Sequence, residues 1–99
     1  MSDNQTKLVV LICEEALEPI VLPEFLAAGA KGYTVCDARG CGTRGVRDAR
    51  WLSANVRIEA LCREPVARRI MEMIETRYSD NYGLVIYTVD ATVIRGDKF

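Results

Sequence analysis

From Lys7 to Cys13 the chain is apolar at almost every position, the pattern of a central strand buried on both faces. Glu14 and Glu15 suit the positive end of a helix, and Leu17, Ile20, Val21, Phe25 and Ala28 then recur at helical spacing up to Gly29. Pro19 is tolerated in a first turn. Pro23 removes a backbone donor inside the periodic stretch, so the helix is expected to start near Glu18 or to kink between residues 19 and 23. Gly29 and Gly32 end it. Tyr33 to Arg39 reads as a second strand and Asn55 to Cys62 as a third, where Val56, Ile58, Ala60 and Cys62 alternate with Arg57 and Glu59. Glu64-Pro65 opens a second helix, with Val66, Ala67, Ile70, Met71, Met73 and Ile74 as its apolar stripe. Its other face carries Arg68, Arg69, Glu72, Glu75 and Arg77, a solvated charge lattice at i, i+4 spacing. After the polar turn Tyr78 to Gly83, Leu84 to Ile94 reads as a long fourth strand. Val85, Tyr87, Val89, Ala91 and Val93 lie on one side of it, and Leu84, Ile86 and Ile94 on the other.

The order strand, helix, strand, strand, helix, strand is the βαββαβ or ferredoxin-like arrangement: an α+β domain with a four-stranded antiparallel sheet and two helices on one face. Residues 1–99 form one such domain, without repeats or linkers. A fourth strand apolar on both sides leaves the open sheet face in need of cover, and self-association supplies it. Between the second and third strands, residues 40–54 have no clear period, and loops of that length in compact domains are functional or mobile.

Composition narrows the partners. With 99 residues, 49% apolar, 27% charged and a net charge of −1, this is a globular chain and not a polybasic nucleic-acid binder. The longest apolar run is too short for a bilayer and no leader opens the chain, so a cytoplasmic protein is expected. Four cysteines occur with no histidine and no CxxC, so no metal site is expected. Cys13, Cys36 and Cys62 sit in apolar runs and read as buried thiols. Cys41 lies between two glycines, where a redox role would need an exposed, activated thiolate.

The chemistry concentrates in Gly32 to Arg47. A β-prone run breaks into Gly40 and Gly42, which let the backbone turn and present its N–H groups, and Arg44 and Arg47 add positive charge: the outline of a phosphate or carboxylate cradle. Other users of the topology fit less well. A heavy-metal chaperone would need a second thiol beside Cys13, an RNA-recognition module would need aromatics where Val56 to Glu59 stand, and an acyl-phosphate hydrolase would need glycines where Glu14 and Glu15 stand.

With Gly32-Tyr33-Thr34-Val35, Gly40-Cys41-Gly42, Gly42-Thr43-Arg44-Gly45-Val46-Arg47, Tyr78 to Gly83 and Gly96 in this order, the chain resembles the PII signalling proteins over nearly its whole length. Within them it looks closest to the PII-like branch associated with carboxysomes and bicarbonate uptake. The resemblance implies a non-enzymatic homotrimer with adenine-nucleotide sites in the clefts between subunits, and a T-loop at residues 40–54. Carried over residue by residue, it implies Thr34, Gly40, Cys41 and Gly42 near the nucleotide and Arg44 and Arg47 on its phosphates. Gly83 falls in the turn before the last strand, Gly96 near the adenine or ribose, and Arg95 and Lys98 are further phosphate ligands. Arg44 and Arg47 would also hold bicarbonate, a planar monoanion suited to a guanidinium fork. The partner implied is a bicarbonate transporter or a carboxysome component.

Typical members carry a lysine-rich turn and paired arginines after the last strand. Here the turn has no cation and Arg95 stands alone, so ADP or AMP is expected over magnesium-ATP. Thr43-Arg44 replaces the family's glutamine, so no 2-oxoglutarate response is expected. No tyrosine occurs between Gly45 and Ser53, so uridylylation is not expected, nor is the redox control that some relatives exert through a cysteine-bearing tail. A slow nucleotide hydrolase in the same cleft and a structural or metal-tolerance trimer are the alternatives; the first lacks an evident general base.

Overall fold

The computed structural model describes residues 6–40, 55–80 and 83–99. In chain order these form β1 (Thr6–Glu14), a 3-10 turn (Glu15–Leu17), α1 (Glu18–Ala28), β2 (Thr34–Ala38), β3 (Asn55–Arg63), α2 (Glu64–Arg77), β4 (Val85–Asp90) and a second 3-10 turn (Gly96–Lys98). The sheet order is β2-β3-β1-β4 and all three pairings are antiparallel, the ferredoxin-like arrangement expected.

Both helices lie on one face. Val9, Leu11 and Cys13 of β1 and Val56, Ile58, Ala60 and Cys62 of β3 pack against Leu17, Val21 and Phe25 from the first helical segment and Ala67, Ile70 and Ile74 from α2. Each such large side chain contributes about 1.5–3 kcal/mol by leaving water. The strand alternation of β3 therefore resolves as read: its apolar members face the helices. Burial pushes the Cys62 thiol pKa up, and that of Cys13, with Glu14 and Glu18 adding to the burial, up to about 11. Cys36 departs from the expectation of a buried thiol. It sits on the edge strand β2 and is exposed, because its side of the sheet has no helix over it.

Pro19 occupies the first turn of α1, and Pro23 lies inside a helix that begins at Glu18, as one of the two expectations had it. Of the apolar stripe, Leu17, Val21 and Phe25 are buried but Ile20 is exposed, as is Leu26 outside the stripe. Gly29 caps α1 at φ +120°, with its N–H on the Leu26 carbonyl at 3.0 Å, and Ala30 donates to the Phe25 carbonyl at 3.1 Å. An L side chain is strained at that φ, and glycine is not. The charge lattice on α2 is only partly solvent-directed. Arg68 pairs with Glu64 as the spacing suggests, but Arg69 donates to the Ala28 carbonyl at 3.0 Å, tying α2 to α1.

The fourth strand is shorter than the apolar run. β4 stops at Asp90 against Lys7, and Ala91 makes one last bond to the Thr6 carbonyl at 3.1 Å. As an edge strand it is paired on one side only, so its ladder ends where β1 does. Ile94, read as strand, is 98% exposed beyond it. Val85, Tyr87 and Val89 lie on the open face opposite Ile12, Val10 and Leu8, and are all exposed, so that face carries an apolar surface without a helix over it. Among the described residues no helix is long and apolar enough to cross a membrane.

Candidate functional site

Strand register divides the expected site residues between the two ends of the sheet. At one end Ala38 pairs with Asn55, and Asn55 with Glu14, so the residues that lead into and out of the 41–54 segment stand side by side. Val85 pairs with Ile12, which brings Gly83 to the same end. Gly40 and Gly83 therefore share one end of the sheet, at its two opposite edges, with β3 and β1 between them. Among the described residues a Cβ on Gly40 would meet nothing within 4 Å, and its φ is not positive. Open space beside a backbone is what close approach of a ligand needs. Cys41, Gly42, Arg44, Arg47 and Trp51 lie outside the described residues, as does the T-loop assignment beyond Gly40.

The turn after α2 is held at its root by a carboxylate that sequence reasoning missed. Glu24 of α1 accepts from Arg77 Nη1 through Oε1 and from the Tyr78 hydroxyl through Oε2, each at 2.5 Å. Tyr78 N–H closes on the Ile74 carbonyl at 2.9 Å, and Ser79 Oγ donates to the Glu75 carbonyl at 2.7 Å. No spacing rule links Glu24 to Tyr78, because the contact forms only when the two helices lie side by side.

Arg95, Gly96 and Lys98 stand at the opposite end. Thr6 pairs with Arg63 there, and Arg63 donates to the Gly96 carbonyl at 3.0 Å, fixing the second 3-10 turn to the end of β3. Arg95 Nε lies 3.5 Å from Asp97 Oδ1. The β1 strand separating the two ends spans nine residues, about 27 Å at the rise of an antiparallel strand. Among the described residues, one subunit therefore does not bring Gly40 and Gly83 together with Arg95, Gly96 and Lys98.

Thr34 lies between, exposed at the start of β2 and paired with Glu59. Around it the open face carries one polar cluster: Arg57 donates from Nε to Glu59 Oε2 at 2.6 Å and from Nη1 to the Tyr87 hydroxyl at 3.4 Å. These two bonds, the one to Glu59 foremost, raise the Arg57 pKa further above its already high ordinary value. Opposite charges two residues apart on a strand share a face, and that signal was legible in Arg57 and Glu59.

A cleft of about 660 Å³ between α2 and the β4 edge contains none of the expected site residues. Its cations, Lys7 and Arg68, pair with Asp90 and Glu64. Among the described residues no group of three or more histidine, cysteine, aspartate or glutamate side chains is placed to hold a metal.

The described residues thus form a ferredoxin-like subunit with Gly40 and Gly83 at one end of the sheet and Arg95, Gly96 and Lys98 at the other. The chain belongs to the nitrogen regulatory protein P-II family, whose model matches residues 6–98. Among solved structures it is similar to a protein of Thermus thermophilus assigned to the PII-like signalling proteins, with 38% identity and a TM-score of 0.82 over 95% of this chain and 94% of that one. CPII of Thiomonas intermedia, solved with ADP and bicarbonate, shares 25% identity and a TM-score of 0.83 over 95% and 93% of the two chains. The Bacillus subtilis GlnK complex with ATP shares the fold, at 15% identity and a TM-score of 0.63 over 94% and 89%.

Proposed function

We propose that this PII-family protein is a non-enzymatic regulator that binds ADP or AMP, together with bicarbonate, in clefts between the subunits of a trimer. The observation that carries the reading is the division of the site: Gly40 and Gly83 stand at one end of the sheet, and Arg95, Gly96 and Lys98 at the other. A cleft formed by the loop end of one subunit and the terminal turn of its neighbour reunites them. The apolar open face bearing Val85, Tyr87 and Val89 is the surface that would bury on assembly. The ligands bound to CPII support the choice of ADP and bicarbonate.

In this reading Arg44, Arg47, Arg95 and Lys98 neutralise phosphate while Thr34, Gly40, Cys41, Gly42, Gly83 and Gly96 line the nucleotide. Bicarbonate sits on the guanidinium groups of Arg44 and Arg47 through charge-assisted hydrogen bonds. Ligand contacts made only in one arrangement of residues 40–54 would bias that segment and change the surface offered to a partner. The partner proposed is a component of inorganic-carbon uptake, in a cytoplasmic setting. Calorimetric titration with AMP, ADP and ATP, with and without bicarbonate, tests this. Binding that weakens on Arg44→Ala is expected; absence of heat with every nucleotide refutes it.

A further inference from the structure

The terminal turn is pinned from outside by one charged group. Arg63, the last residue of β3, holds the Gly96 carbonyl at 3.0 Å. Inside the turn Lys98 N–H bonds to the Arg95 carbonyl at 3.0 Å and Phe99 N–H to that of Gly96 at 3.2 Å. The backbone between Arg95 and Lys98 is thus closed on itself and attached to the sheet. It presents two cations, Arg95 and Lys98, with an anion between them, and the Asp97 carboxylate lies 3.5 Å from Arg95 Nε.

We propose that Asp97 is a specificity-determining residue that selects nucleotides with short phosphate chains. The proposal rests on the reading above, in which Arg95 and Lys98 meet phosphate in the neighbouring subunit's cleft. A first phosphate competes with Asp97 for Arg95. Each further phosphate brings more negative charge towards a carboxylate that the Arg63 anchor keeps in place. Without that anchor the turn could swing and carry Asp97 away from the ligand. The Arg95 and Asp97 side chains are 67% and 76% exposed, so water screens the repulsion and salt weakens it further. About threefold in affinity per added phosphate is the size expected for such a screened contact.

Titrations of the full chain and of Asp97→Asn with AMP, ADP and ATP, without divalent metal and at low and high salt, test the proposal. The variant should raise the affinity for ATP relative to AMP about tenfold, with the change shrinking at high salt. Arg63→Gln should weaken all three nucleotides and blunt the effect of Asp97→Asn when the two are combined. An ATP-to-AMP ratio within about twofold of the parent's, in a folded variant of unchanged assembly mass, overturns the proposal. Asp97→Ser provides the same comparison if the asparagine variant does not fold. A parent protein that binds no nucleotide refutes the binding reading itself, whereas a parent that binds and a variant with an unchanged ratio refute only the role of Asp97.

Discussion

If nucleotide binds as proposed, in a cleft shared by two subunits, subunit mixing is a decisive experiment. In the proposed site Arg44→Ala would remove a phosphate ligand contributed by residues 40–54 and Arg95→Ala one contributed by the terminal turn. Each charge-assisted contact is worth about 1.5–3 kcal/mol, so each variant alone should lose roughly tenfold to a hundredfold in nucleotide affinity. Among the described residues, about 27 Å of strand separates the Gly40 and Gly83 end of the sheet from the turn that carries Arg95. In a cyclic trimer the loop of one subunit meets the turn of the next. A mixed trimer with two copies of one variant and one of the other contains a single cleft in which both arginines are present, whichever variant is in excess. Co-expression with two different affinity tags, followed by purification on both, isolates these mixed trimers. Calorimetry should then find tight binding at about one third of a site per subunit, at nucleotide concentrations where each variant alone is silent. Mixed trimers as silent as the homotrimers would show that both half-sites act within one chain, and would refute the division inferred from strand register.

The Gly29 cap and the Cys13 thiol give two further tests. A Cβ at Gly29 would stand 3.0 Å from Val66 Cγ2 and 3.1 Å from Arg69 Nη2 at a φ of +120°, so Gly29→Ala should cost about 2–4 kcal/mol in urea denaturation; a loss below about 1 kcal/mol would mean that the cap relaxes freely. The Cys13 thiol rises from 9.0 to about 11 on folding, so the folded state resists forming a thiolate that the unfolded chain forms readily. The stability this group contributes is complete below pH 9 and is lost as pH climbs towards 11; Cys13→Ala should flatten that loss, and a variant that declines as steeply as the parent would remove Cys13 as its source.

What the sequence disclosed follows from how local the physics is. The alternation in β3 and the stripe of α2 needed only periods of two and 3.6: all four apolar residues read in β3 are buried, and in α2 Ala67, Ile70 and Ile74 are buried while Val66, Met71 and Met73 are half-buried. The fourth strand was overread because Ala91, Val93 and Ile94 continue the apolar run after β1 has no more backbone to pair with. Cys36 was misplaced for a related reason: apolar neighbours do not reveal that a strand will form the sheet edge. Glu24 and Arg63 were invisible because each acts through a contact with a residue far along the chain, Tyr78 and Gly96 respectively.

The two tethers also explain how one small sheet can carry a site at both ends. Glu24 fixes the start of the turn that leads to Gly83, using a carboxylate from α1. Arg63 fixes Gly96, using a guanidinium from the far end of β3. Neither tether belongs to the β-ladder, so both position irregular backbone that the sheet alone would leave unsupported. The strands set the distance between the half-sites, and the tethers set their orientation. In the proposed trimer, turns held this way would lower the ordering cost that opposes nucleotide binding. The loop at 40–54, reached from the same end as Gly83, is then the part whose arrangement a ligand in the shared cleft would bias, while the sheet and its two anchored turns hold the cleft's walls in place.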